Sequence, residues 1–194
     1  MLTTLATVKA DLGIAGDDAS LDAFLTRAIE AASGRIEGHC GRTFGVRAAS
    51  ETFRLERCKP RLLLSHWPVT AVEGVTVDGI TVPEAERSVE DGIFLRRLDA
   101  DGDDSLWPAG KVVVAYTAGY VLPGDDGANL PAAVEQACID LVRIRYHGRD
   151  RDPALRSESV DGVYTASYRD AVSVDAIPDG VADALAPYVR VHIA

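Results

Sequence analysis

The spacing of the apolar residues changes twice along this chain of 194 residues, and that change limits the folds it can adopt. Up to about residue 46 the apolar side chains recur every three or four positions, which is the period of an amphipathic helix. Between about Arg47 and Tyr120 they alternate with polar residues, as they do in half-buried strands. The helical spacing returns at Leu130. The pattern predicts helices near both ends and a β-rich segment between them.

Two segments have the clearest helical spacing. The first begins near Ser20, a suitable N-cap, with Asp22 in the first turn, where the helix dipole favours negative charge. It is predicted to end near Gly38 or Gly41, and its apolar stripe is Leu21, Phe24, Leu25, Ala28, Ile29, Ala32 and Ile36. The second helix follows Pro131 and stops near Gly148, with an apolar face of Val134, Ala137, Cys138, Leu141, Val142 and Tyr146. Shorter helices are predicted over residues 4–12 and after Pro178.

The middle segment contains a strong hairpin signal. Asp78 and Gly79 lie between two runs rich in β-branched residues, and a two-residue Asp-Gly link favours a tight hairpin turn. Further strands are predicted over residues 51–55, 93–98 and 111–117. This part of the chain is therefore interpreted as a small antiparallel β unit.

The predicted fold is α+β and mainly α. In it, N-terminal and C-terminal helices pack together as a core into which the β unit is inserted. We place the N-terminal helices in residues 1–46, the β-rich unit in 47–122, and the C-terminal helices, arm and tail in 123–194. The arm, residues 149–176, is polar and is expected to be mobile, with a possible small hairpin between Ser159 and Tyr164. The tail from Val189 alternates like a strand.

Charge and hydropathy restrict the functional classes. The chain has 20 Lys and Arg against 30 Asp and Glu, a formal charge of −10. Tight sequence-independent DNA binding is disfavoured, because it needs a dominant basic face that displaces counterions from phosphates. No run approaches the ~18 apolar residues that span a bilayer, and the N-terminus does not have the pattern of an export signal. We expect a soluble protein that is not exported and has no membrane contact.

Residues with catalytic or metal-binding chemistry do not form a recognisable motif. Three widely separated cysteines argue against a disulfide framework and a zinc site. The acidic stretch from Asp99 to Asp104 resembles a calcium loop, but its glycine is fourth rather than sixth and its twelfth position is Gly110 instead of a glutamate. A solvated turn is favoured there. We expect no catalytic residue, no metal and no cofactor.

One basic region stands out in the acidic chain. Its five arginines outweigh Asp150 and Asp152 and give a net charge of +3 over fourteen residues. The region could be a helix C-terminus whose dipole favours cations, followed by a solvated loop. Alternatively, it could be an inter-subunit interface that pairs with acidic surface on a neighbouring copy, as in head-to-tail rings. The arginines are Arg143, Arg145, Arg149, Arg151 and Arg156.

Several ordered segments together resemble the head-tail connector, or adaptor, proteins of tailed bacteriophages and related gene-transfer particles. The opening segment 2–14 and residues 22–33 are similar to the N-terminal helices of that family, which commonly finish on a sequence like Cys40-Gly41-Arg42-Thr43-Phe44. Residues 67–72 and 116–120 are similar to its β insertion. Residues 131–137 resemble its second long helix, 157–160 its arm and 185–188 its ending.

The resemblance implies a structural virion protein without enzymatic activity, made in the host cytoplasm and located at the head-tail junction. Such proteins form a ring, expected to be a dodecamer, beneath the portal protein. The ring extends the DNA channel, through which DNA passes without specific binding, and docks a stopper or tail-terminator protein. By position, the resemblance assigns portal contact to the tail, which consists of Val189, Arg190, Val191, His192, Ile193 and Ala194.

Two other functional classes of protein remain compatible with the sequence. One is a small cytoplasmic enzyme or a metal- or ligand-binding domain, using Cys40 or Cys58 as a nucleophile or the Asp99–Asp104 loop as a metal site. The other is a regulatory nucleic-acid-binding protein, which the overall charge disfavours.

Overall fold

A computed structural model describes residues 1–149, 157–160, 164–167 and 177–190 of the chain. The chain divides into a helical unit, residues 1–42 with 122–194, and a β unit, residues 43–121. The α-helices are α1 (Leu5–Asp11), α2 (Asp22–Cys40), α3 (Ala132–Gly148) and α4 (Asp179–Leu185). The strands of the β unit are β1 (Arg47–Leu55), β2 (Arg61–Leu63), β3 (Val69–Val77), β4 (Ile80–Thr81), β5 (Arg87–Glu90), β6 (Phe94–Leu98), β7 (Asp104–Ser105) and β8 (Gly110–Ala118). Short 3-10 helices lie at Glu84–Glu86 and Ala186–Tyr188.

The helical unit is built on the apolar faces of α2 and α3, which pack against each other, and α4 packs on α3. Leu25 and Ile29 of the predicted α2 stripe are 0% exposed. Burying a side chain of this size stabilises a fold by roughly 1.5–3 kcal/mol. The opposing core residues include Val134, Ala137, Cys138, Leu141 and Val142 of α3, with Val181 and Leu185 of α4.

The two ends of α2 differ in how well the sequence predicts them. Ser20 is not the N-cap: the helix begins at Asp22, after Leu21, and the Ser20 N–H donates to Asp18 Oδ1 at 2.9 Å. Asp18 therefore closes a turn of its own before the helix. At the other end Gly41 adopts a left-handed conformation, φ 63°, and the next N–H bonds to the Glu37 carbonyl at 3.1 Å. This six-to-one bond identifies Gly41, rather than Gly38, as the terminating glycine.

The main sheet of the β unit is antiparallel and has the strand order β1-β8-β3-β4. The predicted Asp-Gly hairpin is confirmed, because Asp78 and Gly79 link β3 to β4 with φ values of 48° and 87°. Positive φ at both turn residues matches the right-handed twist of the flanking strands. Along β8 the inner residues Val112, Val114 and Tyr116 are all 0% exposed, which shows the period-two pattern directly.

A second, small sheet has the order β2-β6-β5, and β7 also pairs with β6. Its inward residues Leu62 and Leu95 share one hydrophobic core with Val114 and Tyr116 of the main sheet. Trp107 is fully buried in this core, and its indole N–H donates to the Leu95 carbonyl at 3.1 Å. The core therefore lies between the two sheets, and the other face of the main sheet points away from it.

The expectation of a mainly helical fold is wrong. Among the described residues, strand residues are about as numerous as helical ones: four α-helices of 7, 19, 17 and 7 residues occur together with antiparallel sheets. Strands β2, β5 and β7 have three, four and two residues, which is too short for alternation to be recognised in the sequence. Their strand conformation comes from pairing with β6. Helices α1 and α4 have only seven residues each.

In the predicted arm, strand β9 (Ser157–Val160) pairs with β10 (Tyr164–Ser167), which confirms the small hairpin. The expected mobility of residues 149–176 concerns a segment that lies mostly outside the described residues. Val191, His192, Ile193 and Ala194 also lie outside them. Among the helices that the structure describes, none is long and apolar enough to cross a membrane.

Candidate assembly surfaces

Arg143, the first of the five predicted interface arginines, is bound within its own helical unit. Its Nε and Nη2 donate to the two Asp11 carboxylate oxygens at 3.1 and 2.5 Å, and Nη1 donates to Asp140 Oδ1 at 3.0 Å. The hydrogen bond to Asp11 is the main reason why the pKa of Arg143 is raised above its ordinary value. Arg143 therefore links α3 to α1.

Arg145 and Arg149 are exposed near the C-terminal end of α3. The Arg149 guanidinium lies 4.1 Å from the centre of the Tyr146 ring. Ile144, next to Arg145 in the sequence, is 55% exposed. We call Ile144, Arg145 and Arg149 the α3 surface. Arg151 and Arg156 lie outside the described residues.

The predicted portal-contact tail begins beside the C-terminal end of α2. The Arg190 N–H donates to the Cys40 carbonyl at 2.8 Å, so one of the last carbonyls of α2 is capped by the chain's own tail. A Cβ built on Gly41 would lie 3.8 Å from the Arg190 Cβ. The direction in which the tail leaves the helical unit is therefore fixed as far as Arg190. No pattern in the sequence predicts this contact.

The stretch from Asp99 to Asp104, which we call the acidic turn, links β6 to β7. Asp99 Oδ1 accepts hydrogen bonds from the N–H groups of Asp101 and Asp103 at 3.0 and 2.9 Å. Asp101 and Asp103 are exposed, and Asp104 pairs with Arg96. The part of the chain that the structure describes contains no group of three or more side chains able to hold a metal ion. The prediction of a solvated turn is confirmed.

The environments of two of the three thiols, Cys40 and Cys138, do not suit nucleophilic catalysis. Burial raises the pKa of the Cys40 thiol above its ordinary value and raises that of Cys138 to about 11. The Cys138 Sγ lies 3.7 Å from Ser33 Oγ inside the helical core. A catalytic thiol needs a lowered pKa and access to solvent, and Cys40 and Cys138 have neither, whereas Cys58 is exposed.

Strand register produces three pairs of directly opposed cations in the β unit, which the sequence analysis missed. Arg61 faces Arg96, Arg87 faces Arg97, and Arg54 faces Lys111. Like charges directly opposite each other destabilise a sheet unless anions compensate them. Only the complete pairing register reveals them, because the partners are 10 to 57 positions apart in sequence.

Acidic side chains neutralise two of these pairs. Glu90 lies 3.6 Å from Arg61 and 3.7 Å from Arg96. Glu86 lies 3.8 Å from Arg97, while Arg87 donates to the Val72 carbonyl at 3.1 Å. Neither Arg54 nor Lys111 forms an ion pair with any described residue, and both side chains are exposed. The Arg54 and Lys111 pair is thus the uncompensated one, and we call it the cationic pair.

The structure thus has a helical unit and a β unit with charged, exposed side chains, and two of its three cysteines are buried. The chain belongs to the head completion protein family, whose family model matches residues 1–191. This confirms the resemblance to phage head-tail connectors, and the chain is a structural head-tail adaptor of the virion. The alternative of a small enzyme or a metal- or ligand-binding domain is not supported.

Solved structures of particle necks share the fold. The chain is 22% identical to a protein in the neck of an empty gene transfer agent particle computed with C6 symmetry, with a TM-score of 0.53 over 97% of this chain and 90% of that one. It is 21% identical to a protein in the neck of a native particle computed with C12 symmetry, with a TM-score of 0.53 over 97% of this chain and 91% of that one. A comparison with curated proteins gave no match.

Proposed function

We propose that this chain is a non-enzymatic subunit of a ring, with twelve copies, beneath the portal at the neck of a phage-like particle. The observation that carries the proposal is the family match over residues 1–191. The shared fold with neck proteins in particles computed with C6 and C12 symmetry supports a ring arrangement. Buried thiols with raised pKa values favour a role without covalent catalysis.

The α3 surface is the proposed inter-subunit contact in the helical unit. An exposed Ile144 beside exposed Arg145 and Arg149 combines apolar area with cations, and this combination fits an acidic neighbouring surface. Arg151 and Arg156 extend the same basic region in the sequence. Because Arg143 is bound to Asp11 and Asp140, its contribution is to hold α3 in place rather than to contact a neighbour.

The tail from Val189 to Ala194 is the proposed portal contact. Its sequence alternates apolar and polar residues, a pattern that suits the addition of a strand to the edge of a partner's sheet. The hydrogen bond from Arg190 to the Cys40 carbonyl supports this role, because it fixes the point at which the tail leaves the helical unit. The ring's other end would dock a stopper or tail-terminator protein.

DNA is proposed to pass through the ring without specific binding. With a formal charge of −10, each subunit adds negative charge around the channel, and this repels phosphates and limits adhesion.

Electron microscopy of particles tests this function. Particles made without this chain should have packaged heads but lack a ring below the portal, and supplying the chain should restore both the ring and tail attachment. If particles without the chain keep a complete neck, or if the labelled chain lies elsewhere in the virion, the proposal is wrong.

A further inference from the structure

We propose that the cationic pair of one subunit, Arg54 and Lys111, binds the acidic turn of the next subunit in the ring, so that the β units join head to tail. The proposal rests on the ring described above and names a contact in the β unit that is separate from the α3 surface. It begins from the imbalance among the three opposed cation pairs.

Opposed residues on an antiparallel pair have Cβ atoms about 4.5–5.5 Å apart, so an uncompensated pair of cations is unfavourable. The β unit supplies an acid to the Arg61 and Arg96 pair and another to Arg97. No acid of the β unit forms an ion pair with Arg54 or Lys111. The Asp78 carboxylate lies near Lys111, but Oδ1 accepts the backbone N–H at 2.8 Å and makes no ion pair with the ammonium. An anion from outside the subunit would complete the site.

The cationic pair lies on the face of the main sheet that points away from the core. Arg54 stands between Phe53 and Leu55, which pack on the core, and Lys111 precedes the fully buried Val112. Because successive strand residues point to opposite faces, both cations project from the outer face. Around them on β1 and β8 are uncharged residues, namely Ser50, Thr52, Val113 and Ala115. An incoming acidic segment would meet no like charge from these four positions, and the acid beside them, Asp78, has one carboxylate oxygen bound to the Lys111 backbone N–H.

The acidic turn has the complementary chemistry. Asp101 and Asp103 are exposed and make no ion pair with any described residue, and their backbone N–H groups are held by Asp99 Oδ1. The turn therefore presents two carboxylates on a conformation that is already fixed, which lowers the entropy lost on binding. Asp104, by contrast, is committed to Arg96 within the subunit.

The placement of the two features suits a head-to-tail contact. The acidic turn belongs to the small sheet and the cationic pair to the outer face of the main sheet, with the hydrophobic core between the two sheets. Complementary patches on different sides of one unit form a heterologous contact, and such contacts close into rings when the rotation permits. A second copy is a better occupant than DNA, because two cations on a chain of charge −10 supply little of the counterion release that DNA binding needs.

Exchanging the charges of the two partners tests the contact. Each variant is supplied to particles made without the wild-type chain, and the number of copies of the chain per neck is measured. The double variants Arg54→Glu with Lys111→Glu, and Asp101→Lys with Asp103→Lys, should each reduce incorporation by at least about tenfold, because each places like charges together. An equal mixture of the two should restore incorporation, since every contact in an alternating ring is again between opposite charges. The chain with all four substitutions should assemble alone.

Matched controls are Asp125→Lys with Asp126→Lys in an exposed loop and Arg27→Glu on the exposed side of α2, which should assemble normally. Circular dichroism checks that each variant is folded. The proposed contact is wrong if each double variant assembles like the wild type, or if neither the mixture nor the fourfold variant regains normal incorporation. Either result leaves the proposed ring uncontradicted. Loss of duplex-DNA retention by Arg54→Glu with Lys111→Glu, with normal assembly of the acidic-turn variant, would assign the pair to nucleic acid instead. Absence of the wild-type chain from necks would reject the proposed function itself.

Discussion

Arg143 on α3 and Asp11 on α1 form an ion pair with two hydrogen bonds, of 2.5 and 3.1 Å, between helices far apart in sequence. The two donor nitrogens, Nε and Nη2, lie on one edge of the Arg143 guanidinium. This geometry orients the two side chains in addition to the attraction between their charges. Arg145, two residues later, is exposed. Two arginines of the basic region, two positions apart, therefore have different environments.

The ion pair should make a measurable contribution to the helical unit. Arg143→Ala and Asp11→Ala should each lower Tm slightly, and the double variant should lose less than the sum, because both single changes remove the same interaction. Raising the salt concentration should shrink the coupling. The control Arg145→Ala should leave Tm unchanged. Additive losses in thermal unfolding would show that the two residues are not coupled.

Two glycines in and after α2 should respond oppositely to the same substitution. Gly41→Ala should destabilise the protein by about 1–2 kcal/mol, because Gly41 has φ 63° and alanine is strained there. Gly34→Ala should stabilise it by about 0.5–1 kcal/mol, since Gly34 is helical, exposed and has nothing within 4 Å of a built Cβ. Urea unfolding measures both values. Equal effects would contradict the assigned helix end.

Cys138 should make stability depend on alkaline pH. Burial raises its pKa from 9.0 to about 11, so the folded state holds its proton after the unfolded state has lost it. The contribution is fully present below pH 9 and is lost as pH rises through about 11, by roughly 2–3 kcal/mol in total. Urea unfolding at several pH values should show a shallower decline for Cys138→Ala than for the wild type. An identical slope in the two proteins would count against a buried thiol with this pKa.

Removal of the tail should separate folding from incorporation. A chain that ends at Tyr188 loses the Arg190 bond to the Cys40 carbonyl but none of the buried apolar residues, so Tm should change little. Its incorporation into portal-containing particles should fall at least about tenfold if the tail holds the portal. Copy number per particle, from quantitative gel analysis, is the measurement. Normal incorporation of the shortened chain would rule out the tail as the portal contact.

The α3 surface should matter for ring assembly and little for folding. Arg145→Glu with Arg149→Glu should weaken ring formation at least about tenfold, because like charges would meet the acidic neighbour. Arg27→Glu, a reversal elsewhere on the helical unit, is the control. Mass photometry of cross-linked assemblies measures ring yield. An unchanged yield, with Tm close to that of the wild type, would remove these arginines from the interface.

Short-range sequence patterns predicted the helices and turns whose conformation depends mainly on neighbouring residues. Asp78-Gly79 specifies a tight hairpin because both residues tolerate positive φ, and α2 shows its apolar face at every third or fourth position. Ser20 misled the prediction because the helix begins at Asp22, so that Leu21 and not Ser20 occupies the N-cap position. The short strands beside β6 were missed, since two to four residues show no reliable period.

By itself, the sequence determined the alternation of helical and β-rich segments, the acidic charge and the ordered resemblance to head-tail adaptors. The tertiary structure decided which charged side chains are paired within the subunit and which remain available for contacts with other molecules. It ties Arg143 to Asp11, neutralises Arg61 and Arg96 with Glu90, and leaves Arg54 opposed to Lys111. These outcomes depend on strand register and helix packing, which bring together residues distant in sequence. Because charges interact over a few ångströms, the partners of a cation become known only when the chain is folded.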